Sequence, residues 1–362
     1  MNFAIAHSYK TNWQESWPHA SGATPSWSTW LISTLGMYPL PPSAKAEASL
    51  SDSDAIVQTS QPSKMSEKPI PRMRSRDLAR WLIPRAFAPV ALHALFAAWT
   101  QQAGHPLLVF VFYSAAFKLI AINTIQLFRE LGNRHGFLDG QKKRDGIPDD
   151  SVGKIAMSLI NTAEIRSAMV CMLAWDSRQK PRVHWMLPFQ IAAYPLILDF
   201  WFYWYHRAMH EIGFLWRFHR THHLTRHPNA MLSLFADAEQ ELFDIALIPM
   251  LTYYTMSFIP HLSLNFYDWF LCGIFVMVIE LGGHSGVRII GTPPAAAFGL
   301  LPFLGLELVI EDHDLHHRRG WKRSGNYGKQ TRVWDKLFGT CLDRVECPEN
   351  SRESHSLVKV PW

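Results

Sequence analysis

The stretch from Asp199 to His223 constrains this chain more than any other, because it places His206, His210, His219, His222 and His223 within 25 residues. Helical positions four apart share a face, so a helical segment would pair His206 with His210 and gather His219, His222 and His223 on a second stripe. Downstream, Glu-Asp-His-Asp-Leu-His-His repeats the second spacing with His313, His316 and His317, and Glu280 and His284 form a further pair. These nine histidines are half of the 18 in the chain. Neutral imidazole is the commonest metal ligand near neutral pH. Nine clustered rings are too many for one tetrahedral zinc ion and fit two neighbouring metals. A shell of imidazole without thiolate suits Fe, Cu, Zn or Ni.

At 362 residues the chain has ample length for a large core, and 48% of it is hydrophobic, with 15 Trp and 22 Phe. The net charge of +5 is local, and no basic run interleaved with aromatics signals nucleic acid. Cys171, Cys272, Cys341 and Cys347 show no CxxC spacing, which fits reduced thiols facing the cytosol.

Residues 1–70 are rich in Ser, Pro and Ala and are expected to be a polar, disordered region. Trp13, Trp17, Trp27, Trp30 and Leu31 within it are candidates for touching a membrane surface. No basic segment leads into an apolar one at the start, so no cleavable signal peptide is expected, and Met65 is an alternative start. Apolar runs follow at 86–99, 106–128, 155–175, 185–205, 242–259, 264–282 and 295–310. Lys118 breaks the second, and Glu164 with Arg166 breaks the third. Spanning a bilayer takes about 20 apolar residues. Pairing the first six runs as hairpins puts the Arg72–Arg85 segment, the Lys142 loop and the histidines on one side, which the positive-inside rule makes cytosolic. The Arg178, Lys180, Arg182 loop then lies on the wrong side, so 155–175 is expected to be interfacial. The predicted fold class is all-α: an integral membrane bundle of about four to six transmembrane or interfacial helices under a cytosolic, histidine-rich di-metal cap. Residues 71–184 form its anchoring helices, 185–345 its catalytic domain and 346–362 its tail.

The order of these boxes resembles the fatty acid hydroxylase / sterol desaturase superfamily of membrane di-iron oxygenases. The resemblance rests on Tyr-Trp-Tyr-His-Arg-Ala-Met-His (203–210), a short spacer, Leu-Trp-Arg-Phe-His-Arg-Thr-His-His (215–223), His-Ser-Gly (284–286), His-Asp-Leu-His-His (313–317), Asn-Tyr-Gly (326–328) and Trp-Asp-Lys-Leu-Phe-Gly-Thr (334–340). It implies that the nine histidines ligate two iron ions. It also implies O2 as co-substrate and electrons from NAD(P)H through a separate donor, cytochrome b5 or its reductase. The site would lie on the cytosolic side of the endoplasmic reticulum membrane. Where many members carry a histidine after the second box, this chain has Phe-Ala-Asp-Ala-Glu-Gln-Glu (235–241), and where some carry one before His-Ser-Gly it has Glu280. Asp237, Glu239 and Glu280 are therefore possible carboxylate ligands, and His227 a further candidate. Asp199, Asp312, Asp314 and Asp335 are candidates to receive ring N–H groups and fix the tautomer, with helix caps and salt bridges as the alternative. Arg207, Arg220 and Arg318 are candidates to pair with such carboxylates or with lipid headgroups, and Gly282, Gly283 and Gly286 suggest close backbone approach.

The expected reaction is hydroxylation of an unactivated C–H bond in a lipid or other apolar substrate. Desaturation or methyl oxidation of a sterol or lipid is the alternative, and a catalytically silent lipid-binding protein a further one. No HExxH of a zinc hydrolase and no fused haem, flavin or iron–sulfur motif is present.

Overall fold

The computed structural model describes residues 27–35, 69–140, 144–147, 151–291, 300–320, 324–347 and 356–361. Most of the region expected to be disordered, including Trp13 and Trp17, lies outside them, as do Lys142 and Lys143 and residues 348–355 of the tail.

The first described element departs from the sequence expectation. Trp27–Thr34 is a helix, α1, that buries Ile32 and Ser28 and leaves Trp27 and Trp30 exposed. A two-residue strand, β1 (Arg72–Met73), pairs in parallel with β2 (Ile290–Gly291), and the tail joins its edge where Val358 N–H donates to Arg72 O at 3.0 Å.

Between the strands run long helices: α2 (Ser75–Thr100), α3 (Pro106–His135), α4 (Val152–Ala174) and α5 (Leu187–Glu211). Then come α6 (Trp216–His219), two 3-10 turns (His222–Leu224 and Ala230–Leu234), α7 (Ala238–Leu242) leading through a π-turn into α8 (Ile248–Phe258), and α9 (Phe266–His284). The short α10 (Leu300–Phe303), α11 (Ile310–Arg319) and α12 (Val333–Phe338) follow. The apolar run 295–310 is thus no long helix in its described part: α10 ends at Phe303, and Gly305 follows in the left-handed region at φ +67°.

Local chemistry sets the ends of these helices. Pro106 opens α3 at a position where its missing N–H is no loss. Asn265 caps α9, accepting from Tyr267 N–H at 2.8 Å and Asp268 N–H at 2.9 Å. Gly320 closes α11 in the left-handed region, at φ +47°.

Among the described residues, α2, α3 and α9 are long and apolar enough to cross a membrane. They differ in role. Both α2 and α3 expose leucines (Leu92, Leu95, Leu108, Leu119) on their outer faces, whereas α9 is apolar all round because α2, α3, α4, α5 and α11 surround it. The charges that interrupt the apolar runs find partners inside: Lys118 pairs with Glu164 across α3 and α4, and Arg166 lies 3.8 Å from Glu280 of α9. Because α9 runs through the core and ends at His284, everything packed against its last turns converges on the histidines.

Candidate metal centre

The histidine run is not one helix. The long α5 ends at Glu211, the chain turns through Ile212–Leu215, and α6 with the turn at His222–Leu224 folds back over the end of α5. That reversal splits the second box. His219 and His223 join His206, His210 and His316 in one group, while His222 joins His284, His313 and His317 in another. The third box divides likewise, because His316 faces the first group and His313 and His317 the second. All nine are buried, and within each group the nearest ring nitrogens lie within 4.8 Å of one another.

The tautomers follow from the hydrogen bonds. A carbonyl oxygen can only accept, so each ring nitrogen facing one carries the proton. His206 Nδ1 donates to Tyr327 O at 2.7 Å, His316 Nδ1 to Gly325 O at 2.8 Å and His284 Nδ1 to Glu280 O at 2.8 Å. His317 Nδ1 donates to Thr225 O at 3.0 Å and His222 Nδ1 to Phe235 O at 3.1 Å. His219 is held by a side chain instead, donating from Nδ1 to Gln240 Oε1 at 3.0 Å. Six rings therefore present a bare Nε2. Burial, reinforced by the neighbouring imidazoles, pushes the pKa of His219, His222, His223, His313, His316 and His317 well below that of free histidine, so all are neutral in the fold.

Bare nitrogens then face one another. His206 Nε2 and His219 Nε2 are 2.9 Å apart, and His222 Nε2 and His284 Nε2 are 3.1 Å apart, with no proton available between them. His223 Nε2 lies 2.9 Å from His219 Nε2 and 3.0 Å from His316 Nε2, and His313 Nε2 lies 2.9 Å from His284 Nε2, which draws these two rings into the same groups. His317 Nε2 is buried with no hydrogen-bond partner. Lone pairs so close repel unless a cation joins them. Two nitrogens at about 2.1 Å from a metal and at right angles to each other are about 3.0 Å apart, which is the spacing found. The donor set fits a metal in each group.

The carboxylates are placed otherwise than expected. Glu280 Oε1 accepts from Lys329 Nζ at 3.1 Å, Asp237 is tied to Lys154 and Thr221, and Glu239 is exposed; none belongs to either group. His227 pairs with Asp139 at 2.9 Å, also outside both groups. Nor do the four aspartates receive ring protons. Asp312 caps α11 through Val309 N–H at 2.9 Å and binds Arg344, while Asp314 binds Arg144 and Arg318. Arg207 pairs with Glu211, and Arg220 is exposed. Asp199 and Asp335 act one step further out. Asp335 accepts from Tyr327 N–H and Gly328 N–H, each at 2.8 Å, and Asp199 accepts from the N–H groups of Lys329, Gln330 and Thr331 at 2.8–3.1 Å. Together they shape the loop whose carbonyls, at Gly325 and Tyr327, hold His316 and His206. Carbonyls do the work expected of carboxylates because neutral rings need an acceptor and no charge.

Two functional side chains escaped the sequence reading. Gln240 sits in the segment where a histidine was looked for, and its role shows only in its contact with His219. Lys329 follows the Asn-Tyr-Gly motif and lies buried between Glu280 and Asp244, 3.6 Å from the latter.

Residues 191–340, which hold all nine histidines, match the family model described as fatty acid hydroxylase. The chain is 40% identical over 294 residues to Fatty acid hydroxylase vlmA of Lecanicillium sp, covering 76% of this chain and 80% of that protein. It is 32% identical over 164 residues to Methylsterol monooxygenase 2-1 of Arabidopsis thaliana, covering 42% of this chain and 55% of that protein. Over 184 residues it is 28% identical to Alkylglycerol monooxygenase of Xenopus tropicalis, covering 48% and 33% respectively. No solved structure matches it. The match of the histidine-bearing region to that family model, and a likeness across most of both chains in the first of these relatives, place this protein in the fatty acid hydroxylase family, as a membrane monooxygenase.

Proposed function

We propose that the protein is a di-iron monooxygenase that uses O2 to hydroxylate an unactivated C–H bond of a lipid or other apolar substrate. The observation that supports this most is the set of bare Nε2 atoms, turned inward at the spacing of neighbouring ligands. His206, His210, His219, His223 and His316 would hold one ion, and His222, His284, His313 and His317 the other. Iron with O2 supplies the oxidising power that a C–H bond demands and that no side chain can provide. The chain's own part is orientation and exclusion. Backbone carbonyls lock the rings, and the packed helices around α9 keep water from the site.

On this reading 185–345 is the catalytic region and 71–184 anchors it in the endoplasmic reticulum membrane, with the histidines on the cytosolic side. Electrons come from NAD(P)H through a separate donor such as cytochrome b5 or its reductase. Desaturation or methyl oxidation with the same residues is the second reading, favoured by the likeness to the methylsterol monooxygenase. Analysis of the oxidised product separates the two.

Iron per chain in detergent-purified protein tests the proposal. About two ions per chain are expected, falling below about one in a His316→Ala, His317→Ala double variant because each group loses a donor. Iron near zero after reconstitution, or zinc alone, overturns the reading.

Gln240 supplies a finer check. Gln240→Leu removes the acceptor that fixes the His219 tautomer, so iron affinity measured against a competing chelator should fall about 10- to 100-fold. Gln240→Glu keeps an acceptor and should retain the metal. Unchanged affinity in the leucine variant would show that His219 needs no such partner.

A further inference from the structure

The nine rings are not held alike. Six have Nδ1 fixed by an acceptor, five by backbone carbonyls and His219 by Gln240. In His210 and His317 the buried ring atom without a hydrogen-bond partner is Nε2, whereas in His223 and His313 it is Nδ1. Both of these last rings turn Nε2 to the other members of their groups. A neutral ring that gives Nε2 to a metal keeps its proton on Nδ1. In His223 and His313 that proton is buried and meets no acceptor among the described residues.

The two are shared out evenly: His223 belongs to the group of His206, and His313 to the group of His284. Each also lies against a glycine. A Cβ on Gly283 would stand 3.4 Å from His313 Cβ and 3.6 Å from its Cγ and Cδ2, and one on Gly320 would stand 3.9 Å from His223 Nδ1. Neither position carries a side chain that could hold the ring. A ligating histidine almost always donates its second N–H, which orients the ring and raises its basicity, and losing that partner costs about 10- to 100-fold in metal affinity. His223 and His313 are therefore weaker donors than the locked rings beside them.

We propose that His223 and His313 are the exchangeable ligands, one in each group, and that each lets go of its metal when a small molecule enters the site. The inference rests on the metal reading above and adds a division of labour among the rings. A centre that activates a small molecule needs an open coordination position, and groups of five and four imidazoles leave little room for one. Release of one ring from each group provides it. In the exchange the Nε2–metal bond breaks as the bond to the entering molecule forms; the proton stays on Nδ1 and no electron moves. The rings tied to carbonyls keep their places throughout, because their second bond fixes the direction of Nε2.

The experiment uses the full-length, iron-loaded protein in detergent, with azide as the entering molecule, followed by its charge-transfer absorption on ferric iron. Iron affinity is measured by chelator competition. His313→Ala and His223→Ala should lose about 10- to 100-fold less affinity than His284→Ala and His206→Ala, whose rings are locked. They should also bind azide more tightly than the parent, because the position is already vacated. Equal loss of iron in all four folded variants overturns the proposal. Gly283→Ala is the second test, since it removes no ligand: its Cβ meets the His313 ring in ordinary contact and blocks its swing. This variant should keep the parent's iron and bind azide several-fold more weakly; unchanged azide affinity overturns the role of His313. Iron content of the parent reports separately on the metal reading. An iron-free parent removes that reading and this inference with it, whereas a loaded parent with four equal variants removes this inference alone.

Discussion

On the di-iron reading proposed above, Asp199→Ala should weaken metal binding and cost several kilocalories of stability, although Asp199 touches no histidine. The carboxylate is fully buried. Oδ1 accepts from Lys329 N–H at 2.8 Å and Gln330 N–H at 3.1 Å, and Oδ2 accepts from Thr331 N–H at 3.1 Å and Thr331 Oγ1 at 2.9 Å. Alanine strands three amides and a hydroxyl where other partners are scarce. Each stranded donor costs about 1–3 kcal/mol, and with partial relaxation a total of about 3–5 kcal/mol is a fair expectation. The same loop presents Tyr327 O to His206 and Gly325 O to His316, so its collapse frees two rings of the first group. Iron affinity should drop about 10- to 100-fold. Thermal unfolding and chelator competition measure the two effects. Asp335→Ala, which frees Tyr327 N–H and Gly328 N–H of the same loop, should act in the same direction. Wild-type affinity with an unchanged melting temperature in both variants would mean that the loop does not hold the rings.

Why the sequence revealed the nine histidines and not this support has a physical answer. Metal-type spacing is local, so His206 with His210, or His313 with His316 and His317, can be read directly. Which group each joins depends on the reversal after Glu211, and that is tertiary: the 219–223 box, read as one stripe, faces two ways. The candidate membrane helices α2 and α3 were legible because each carries a long apolar run, interrupted in α3 by Lys118 alone between 106 and 128. Lys118, Glu164 and Arg166 looked like interruptions only because their partners lie 46 to 114 positions away. The tautomer-fixing groups were invisible for a different reason. A carbonyl acceptor such as Thr225 O leaves no trace in residue type, so a search for carboxylates beside ligands found aspartates that serve backbone amides and arginines instead. Trp27–Thr34 was missed because a single buried Ile32, docked against α4, outweighs the polar composition around it.

Lys329→Met should destabilise the fold about as much as Asp199→Ala, by a different route. The ammonium lies 3.1 Å from Glu280 Oε1, 3.6 Å from Asp244 Oδ2 and 4.0 Å above the Phe202 ring. Burial alone would lower its pKa, but the carboxylates of Asp244 and Glu280 outweigh that and hold it above the ordinary lysine value. A raised folded pKa means that the charge, and the stability it brings, persists throughout the physiological range and is lost only when strongly alkaline pH passes that pKa. Methionine keeps the stem and removes the charge, leaving two buried carboxylates with Arg166 as the nearest cation among the described residues, 3.8 Å from Glu280. Removing one partner of a buried pair costs about 3–5 kcal/mol, whereas replacing all members by neutral groups costs far less. Lys329→Met should therefore lower the melting temperature sharply, and adding Glu280→Gln with Asp244→Asn should restore most of the loss. The circuit also joins the two histidine groups. Gln240 bridges His219 to Asp244, Lys329 links Asp244 to Glu280, and the Glu280 carbonyl holds His284. The triple variant, refolded but without charge, should bind iron more weakly than the parent, because the groups are then tied only through backbone. A triple variant no more stable than Lys329→Met would show that packing around the Lys329 stem, and not its charge, holds these elements together.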